Sequence, residues 1–222
     1  MSRKPKDYTQ PDRFTRAAKA AGYPARSVFK LEEIQRRYHI FRQGQRVLDL
    51  GAAPGSWTLY VSKEVGPSGR VLAADLSEFP GGVPGNVTVR QLDVMKAGRA
   101  ELGDLAPYHV VLSDMAPRTS GNKLRDQALS FELCQRALVL ADELGGADSH
   151  IVLKLFMSND FKALETALRA RYAECRTVRP EATRSQSTEV FLVGLRRRAP
   201  SAAATPAAAA PAEAAPASGD SS

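Results

Sequence analysis

Short apolar segments alternate with amphipathic helical patterns along most of this chain, and this alternation is the strongest constraint on its fold. Strands are predicted near 47–50 and over 69–77, 86–94, 108–117, 149–156 and 188–196. Helices are predicted over 27–38, 57–65, 128–144 and 160–172. Such an alternation is typical of an α/β fold, in which helices cover both faces of a mostly parallel sheet.

The predicted strand ends carry charged side chains. In an open parallel sheet, ligands bind outside the carboxyl ends of the strands. Four of the first five strands end at an acid, and the fifth carries a lysine in an apolar run. These residues are Asp49, Asp75, Asp93, Asp114 and Lys154.

The composition excludes several classes of protein. The chain has 222 residues, enough for one domain with a sizeable core. Its two cysteines exclude a disulfide framework and a cysteine-rich zinc module. No apolar run approaches the ~18–20 residues of a membrane span, and no apolar segment follows the basic N-terminus as in a secretory signal. We therefore expect a cytoplasmic protein without a membrane partner.

The net charge of +7 is unevenly distributed. Residues 1–46 carry +8 and residues 169–198 carry +5, whereas residues 47–168 carry −4. Two interpretations stay open at this point. The basic segments are either ordinary solvated faces or a positive surface that follows a phosphate backbone.

The composition also divides the chain into three parts. Residues 199–222 contain 12 Ala and 4 Pro and predict a disordered tail, because they offer little apolar surface to bury. Residues 1–24 form a basic N-terminal arm that we expect to be partly disordered. Residues 25–198 are the predicted domain.

A glycine turn follows the first strand, in the segment DLGAAPGSW. Gly51 and Gly55 allow a ligand to approach the backbone closely, although such a turn is also a common tight connection. Asp75 lies 20 residues beyond Gly55, where nucleoside-binding folds place an acid on ribose hydroxyls. Asp93 is suited to accept from an adenine amino group. With neither GxGxxG spacing nor a Walker lysine, these features favour S-adenosyl-L-methionine over a dinucleotide or a nucleoside triphosphate.

Two lysines and two acids complete the candidate site. Lys154 lies in IVLKLF, where its ammonium either reaches solvent at the strand end or is buried against a partner. Asp114 ends the strand that we expect beside it. Glu189 opens the last strand, and Lys30 interrupts the apolar face of the first predicted helix.

Together, DLGAAPGSW, AADLS, LSDMAP, HIVLKLF, RSQSTEVFLV and the four charged residues resemble the FtsJ/RrmJ family of RNA ribose 2′-O-methyltransferases, over residues 13–197. The resemblance implies a class I S-adenosylmethionine-dependent methyltransferase fold, Rossmann-like, with seven strands of which the last is antiparallel. It implies no metal site. It implies catalytic roles for Lys154, Asp114, Lys30 and Glu189, and cofactor contacts at Gly55, Trp57, Asp75, Asp93 and Asp114.

The resemblance is strongest to the bacterial branch that methylates a uridine in 23S ribosomal RNA of the large ribosomal subunit. It implies a monomer with RNA as its partner. Six basic residues are therefore expected to lie partly on an RNA-binding face: Arg13, Arg16, Lys19, Arg26, Arg36 and Arg37. Tyr23 either stacks on a base or packs in a turn. One departure is Ser56, where family members often have glycine. Two alternatives stay open: a 2′-O-methyltransferase of tRNA or an mRNA cap, and a non-catalytic RNA-binding protein of ribosome assembly. The intact set of four charged residues argues against the second.

Overall fold

The computed structural model of the chain describes residues 12–199, which contain seven strands and six helices. The strands are β1 (Arg46–Leu50), β2 (Arg70–Asp75), β3 (Val87–Gln91), β4 (Tyr108–Ser113), β5 (Gly145–Phe156), β6 (Tyr172–Val178) and β7 (Glu189–Arg197). The helices are α1 (Arg13–Ala20), α2 (Val28–Tyr38), α3 (Ser56–Val65), α4 (Arg99–Leu102), α5 (Lys123–Leu144) and α6 (Phe161–Arg171).

All seven strands belong to one sheet, in the order β3-β2-β1-β4-β5-β7-β6. Every neighbouring pair from β3 to β5 is parallel, and β7 runs antiparallel to both β5 and β6. The predicted α/β class, the seven strands and the antiparallel last strand are thereby confirmed. The order places the carboxyl ends of β1, β2, β4 and β5 side by side.

Apolar side chains on both faces of the sheet form the core. Within β1, Val47 packs in one cluster with Trp57 of α3, while Leu48 packs in another with Cys134 of α5. Adjacent strand residues point to opposite faces, so both faces must be covered by helices. The nearly unbroken apolar runs of the sequence reflect this double burial.

The structure differs from the sequence prediction mainly at the periphery. β6 was not predicted, because it lies at the sheet edge and its buried residues Tyr172, Cys175 and Val178 do not alternate with period two. α5 begins at Lys123, upstream of the predicted residue 128. There the side chain of Asn122 accepts a hydrogen bond from the backbone N–H of Arg125 and caps the helix.

Part of the predicted N-terminal arm is ordered structure. Asp12 caps α1 by accepting from the backbone N–H of Thr15 at 2.9 Å. Ala18 of α1 packs with Tyr23 and Val28, which fastens the helix to the start of α2. Residues 1–11 and the Ala/Pro-rich tail from residue 200 lie outside the described residues, so the predicted boundaries stay predictions. Between residues 12 and 199, no helix is both long and apolar enough to cross a bilayer.

Candidate active site

A cavity of about 380 Å³ opens at the carboxyl ends of the parallel strands. Its walls come from the ends of β1, β2, β4 and β5 and from the loop after β3. Among its lining residues are Gly51, Asp75, Leu76, Asp93, Met95, Asp114, Met115 and Lys154. Three predicted cofactor residues and the predicted catalytic lysine thus meet in one cavity.

Gly51 and Ala53, in the glycine turn after β1, line this cavity. Gly51 has φ +74°, and a Cβ there would lie 2.6 Å from Cγ of Met115. Any larger residue would therefore clash as well as strain the backbone. Ser56 is the departure from the family pattern. Its hydroxyl oxygen accepts a hydrogen bond from the backbone N–H of Ala25 at 2.7 Å. The serine ties the turn to the segment that leads into α2.

Backbone hydrogen bonds orient two carboxylates in the cavity wall. Asp75 accepts from the N–H of Ala53 at 3.0 Å and from the N–H of Ser77 at 2.7 Å. Asp93 accepts from the N–H of Met95 at 3.0 Å. These donors orient the carboxylates, and Asp93 also pairs with the exposed Lys96, whose Nζ lies 3.7 Å from Oδ2. Each carboxylate oxygen has a further lone pair that can accept from hydroxyl or amino groups of a ligand.

Two exposed apolar side chains, which the sequence patterns did not predict, lie beside those carboxylates. Leu76 is 67% exposed and Met95 is 44% exposed, although both line the cavity. Large apolar groups left open in a cavity are typical of a site for a flat, apolar ligand surface. Their positions in the sequence could have indicated them, because Leu76 directly follows Asp75 and Met95 lies two residues after Asp93.

A third acid, Asp49, is fully buried beneath the glycine turn. Its Oδ2 accepts from the hydroxyl of Thr58 at 2.6 Å, and its Oδ1 has no hydrogen-bond partner. Burial raises the pKa of Asp49 to about 7, the Thr58 hydrogen bond opposes this rise, and the nearby charges of Asp114 and Asp75 add to it. Through Thr58, Asp49 links the end of β1 to α3.

Lys154 and Asp114 form one ion pair at the cavity wall. Lys154 is 8% exposed, and its Nζ lies 2.8 Å from Oδ1 of Asp114. The ammonium also donates to the backbone carbonyl of Asp114. The thiol of Cys134 donates to the carbonyl of Lys154 at 2.9 Å, which holds the strand at this point. The buried-partner interpretation of Lys154 is the one that the structure shows.

Lys30 and Glu189 form a second ion pair. Nζ of Lys30 lies 2.6 Å from Oε1 of Glu189, and both side chains are largely buried. Glu189 is paired with Phe156 in the β5–β7 register, and Phe191 is paired with Lys154. Directly opposed residues and residues two apart share a face of the sheet, so Lys154 and Glu189 lie diagonally on one face. The antiparallel β7 thus brings the two ion pairs together.

Comparison with known proteins shows the family to which the chain belongs. The family model described as FtsJ-like methyltransferase matches residues 23–197. The chain belongs to the FtsJ-like methyltransferase family. Two relatives named Ribosomal RNA large subunit methyltransferase E are similar over nearly their whole length. The one from Sorangium cellulosum is 54% identical over 90% of this chain and 94% of that protein. The one from Nitratidesulfovibrio vulgaris is 48% identical over 84% and 94%.

A solved structure shares the fold. A ribosomal RNA methyltransferase from Plasmodium falciparum superposes with a TM-score of 0.68 at 21% identity, covering 79% of this chain and 98% of that one. At this identity the likeness concerns the fold alone. It agrees with the seven-stranded sheet described above.

Two residues that the family resemblance assigned to the cofactor do not line the cavity of this FtsJ-like methyltransferase. Gly55 lies at the N-terminus of α3 with φ +103°. Trp57 is only 2% exposed and stacks at a tilt on Phe191, and its indole N–H donates to the carbonyl of Ser27 at 2.9 Å. The Trp57 side chain thus fixes the start of α2, from which Lys30 extends. Direct cofactor contacts of both residues stay predictions.

The basic N-terminal residues of this FtsJ-like methyltransferase divide into two groups. Arg26, expected on an RNA-binding face, is partly buried, pairs with Asp12 and donates to the carbonyl of Ala182. The other residues expected on that face are exposed. They are Arg13, Arg16, Lys19, Arg36 and Arg37. Tyr23, a candidate for stacking on a base, is buried in the packed turn instead.

Proposed function

We propose that this methyltransferase transfers a methyl group from S-adenosyl-L-methionine to the ribose 2′-oxygen of a uridine in 23S ribosomal RNA, within the large ribosomal subunit. The observation that carries the proposal is the buried Lys154–Asp114 pair in the wall of the cavity, next to the Lys30–Glu189 pair. A ribose hydroxyl reacts poorly at neutral pH unless a neighbouring group takes or shares its proton. In this proposal, Lys154 Nζ performs that task.

The cavity fits S-adenosyl-L-methionine by the chemistry of its lining. The oriented carboxylates of Asp75 and Asp93 suit ribose hydroxyls and an adenine amino group, and Leu76 and Met95 suit the faces of the adenine ring. The absence of a side chain at Gly51 lets Met115, another lining residue, pack directly against the turn. When bound, this cofactor supplies a methyl group on a positively charged sulfur.

The four charged residues then have distinct roles. Lys154 Nζ accepts the proton of the 2′-hydroxyl when it reacts as the neutral amine, and as the ammonium it stabilises the charge that develops on the 2′-oxygen. Asp114 holds the ammonium at 2.8 Å and so fixes its direction. Glu189 and Lys30 keep the second pair at the same face of β5 and β7, and orientation of the reacting groups supplies much of the rate.

RNA as the substrate is supported by the charge distribution and by the names of the relatives. The +8 and +5 segments flank the cavity-forming middle of the chain. Exposed arginines and lysines lie on α2, which carries Lys30, and on the preceding α1, and they suit phosphate groups. The proposal includes a cytoplasmic, monomeric enzyme acting on the ribosome.

The proposed substrate is tested with labelled cofactor and four acceptors. These are large ribosomal subunits and free 23S RNA from cells that lack the modification, bulk tRNA, and capped mRNA. We expect label in 23S RNA, at a 2′-O-methyluridine mapped by nuclease digestion and mass spectrometry. Label in tRNA or the cap alone would establish the alternative methyltransferase, and no label in any RNA would support a non-catalytic role.

A further inference from the structure

A second cavity, of about 520 Å³, lies at the opposite end of the strands from the active site. It is formed where β1, β4 and β5 begin and where β7 ends. His150 lines it, and Lys154 of the active site lies four residues further along β5. At about 3.3 Å per residue the two sites are roughly 13 Å apart along the strand. This second cavity therefore has no part in the active site described above.

All three histidines of the chain line this cavity: His39, His109 and His150. Nδ1 of His109 accepts the backbone N–H of Arg46, and Nδ1 of His150 accepts that of Arg196, each at 3.1 Å. A ring whose Nδ1 accepts is neutral and carries its proton on Nε2. Both rings are thus held in the same tautomer, with one N–H left to donate.

The surroundings keep these rings neutral. Burial lowers the pKa of His109, and the charge of Arg46 lowers it further. Burial likewise lowers the pKa of His150, followed by the charges of Arg42 and Arg196, against an opposing effect of Asp148. At neutral pH the cavity therefore offers two fixed imidazole N–H donors.

The backbone around the cavity is strained. Three residues other than glycine have positive φ within residues 12–199: His39 at 49°, Asp148 at 57° and Arg196 at 56°. All three line this cavity. Left-handed conformations cost side-chain-bearing residues free energy, and they concentrate at binding and catalytic sites. Three in one cavity point to a ligand site.

Charge favours an anion in this cavity. Arg42 is exposed and makes no ion pair with any residue that the structure describes. Arg196 already pairs with Glu174, and Asp148 is the acid of the lining. Over the same residues, no group of three or more His, Cys, Asp or Glu is placed to hold a metal ion. The free guanidinium and the two N–H groups instead suit the oxygens of a tetrahedral anion.

We propose that this cavity binds a phosphate group, held by Arg42 and by the Nε2–H groups of His109 and His150. The phosphate is either inorganic phosphate or a phosphodiester of an RNA strand that passes behind the active site. The inference does not depend on which RNA is methylated.

The three histidines make a direct test possible, because every imidazole signal in the NMR spectrum reports on this cavity. The full chain is titrated in separate experiments with inorganic phosphate, a short oligoribonucleotide and uridine. We expect saturable shifts of the His109 and His150 signals with a phosphate-containing probe and none with uridine. Saturation by phosphate identifies a free-anion site, and saturation by the oligonucleotide alone identifies an RNA contact.

Two matched variants decide the assignment. Arg42→Gln removes the free guanidinium, and we expect its affinity for the active probe to fall at least about tenfold. Arg125→Gln removes an equally exposed charge outside this cavity and should bind as the wild type does. The proposal is overturned if neither phosphate probe shifts the histidines saturably, or if Arg42→Gln binds unchanged. Methyl transfer with saturating substrate is measured alongside and reports on the active site separately.

Discussion

The ammonium of Lys154 lies 2.8 Å from Oδ1 of Asp114 and also donates to the backbone carbonyl of that same residue. The two residues stand at the ends of neighbouring parallel strands, β4 and β5, and both are largely buried. This pairing keeps a charged group inside an apolar strand and aims it at the cavity. Removing either partner leaves the other short of its counter-charge.

Lys154→Ala should lower turnover by at least about 100-fold, because no group remains to act on the 2′-hydroxyl. Cofactor affinity, measured by calorimetry, should change little. Lys162→Ala removes a lysine that is 80% exposed on α6 and should keep normal turnover. Normal turnover of Lys154→Ala with labelled cofactor would rule out its proposed role.

Asp75→Ala should weaken cofactor binding by about tenfold or more, through loss of a charged hydrogen-bond acceptor in the cavity. Calorimetry measures this, and thermal unfolding checks that losing the bonds to Ala53 and Ser77 leaves the fold intact. Asp104→Ala, at an exposed ion pair outside the cavity, is the matched control. Equal affinity in the two variants would remove Asp75 from the cofactor site.

Asp49→Asn should alter the pH dependence of stability. The pKa of Asp49 is raised to about 7 in the folded protein, against about 3.9 for an unfolded aspartate. The folded state thus keeps a proton that the unfolded state has lost, so stability falls as pH rises through this window. The variant should lack this fall, which is roughly 4 kcal/mol at most.

Urea denaturation across the same pH window measures the Asp49 effect. Asp160→Asn provides the control, since Asp160 is exposed and makes no side-chain capping bond. If wild type and Asp49→Asn lose stability in parallel as pH rises, Asp49 is not the group responsible.

Arg179→Lys should lower turnover about tenfold with little change in cofactor affinity. The guanidinium of Arg179 donates to the carbonyl of Glu189, to that of Ser187 at 2.7 Å, and to those of residues 184 and 185. A lysine ammonium cannot span these acceptors, so the loop before Glu189 should loosen. Arg176→Lys, at an exposed position on β6 three residues earlier, should behave as the wild type. Unchanged turnover for Arg179→Lys would show that the loop does not position Glu189.

Arg16 and Arg26 should affect RNA binding differently. Arg16 is exposed, so Arg16→Gln should reduce the slope of log affinity against log salt concentration by about 1. Arg26 is held by Asp12 and the carbonyl of Ala182, so Arg26→Gln should lower the thermal midpoint and leave the slope unchanged. Filter binding between about 50 and 200 mM salt measures the slopes. Equal slopes for Arg16→Gln and the wild type would place Arg16 away from the RNA.

The charged residues at the strand ends were predictable, because an apolar run and the residue that ends it can both be read from a short stretch of sequence. β6 was missed since an edge strand with charged residues lacks a clean alternation. Trp57 directly follows the glycine turn, yet its side chain packs on Phe191. No local sequence pattern predicts this contact, because the two residues are far apart in the chain. The second cavity was equally hidden, because its histidines lie on three separate segments of the chain.

The sequence by itself determined the α/β class, the sheet with helices on both faces, and the charged residues at the carboxyl ends of its strands. Only the tertiary structure decided which charges meet: Lys30 and Glu189 are 159 positions apart, yet form an ion pair. The physical reason is that hydrophobic periodicity specifies each element and the face it buries. Strand order and register depend instead on how all the elements pack together.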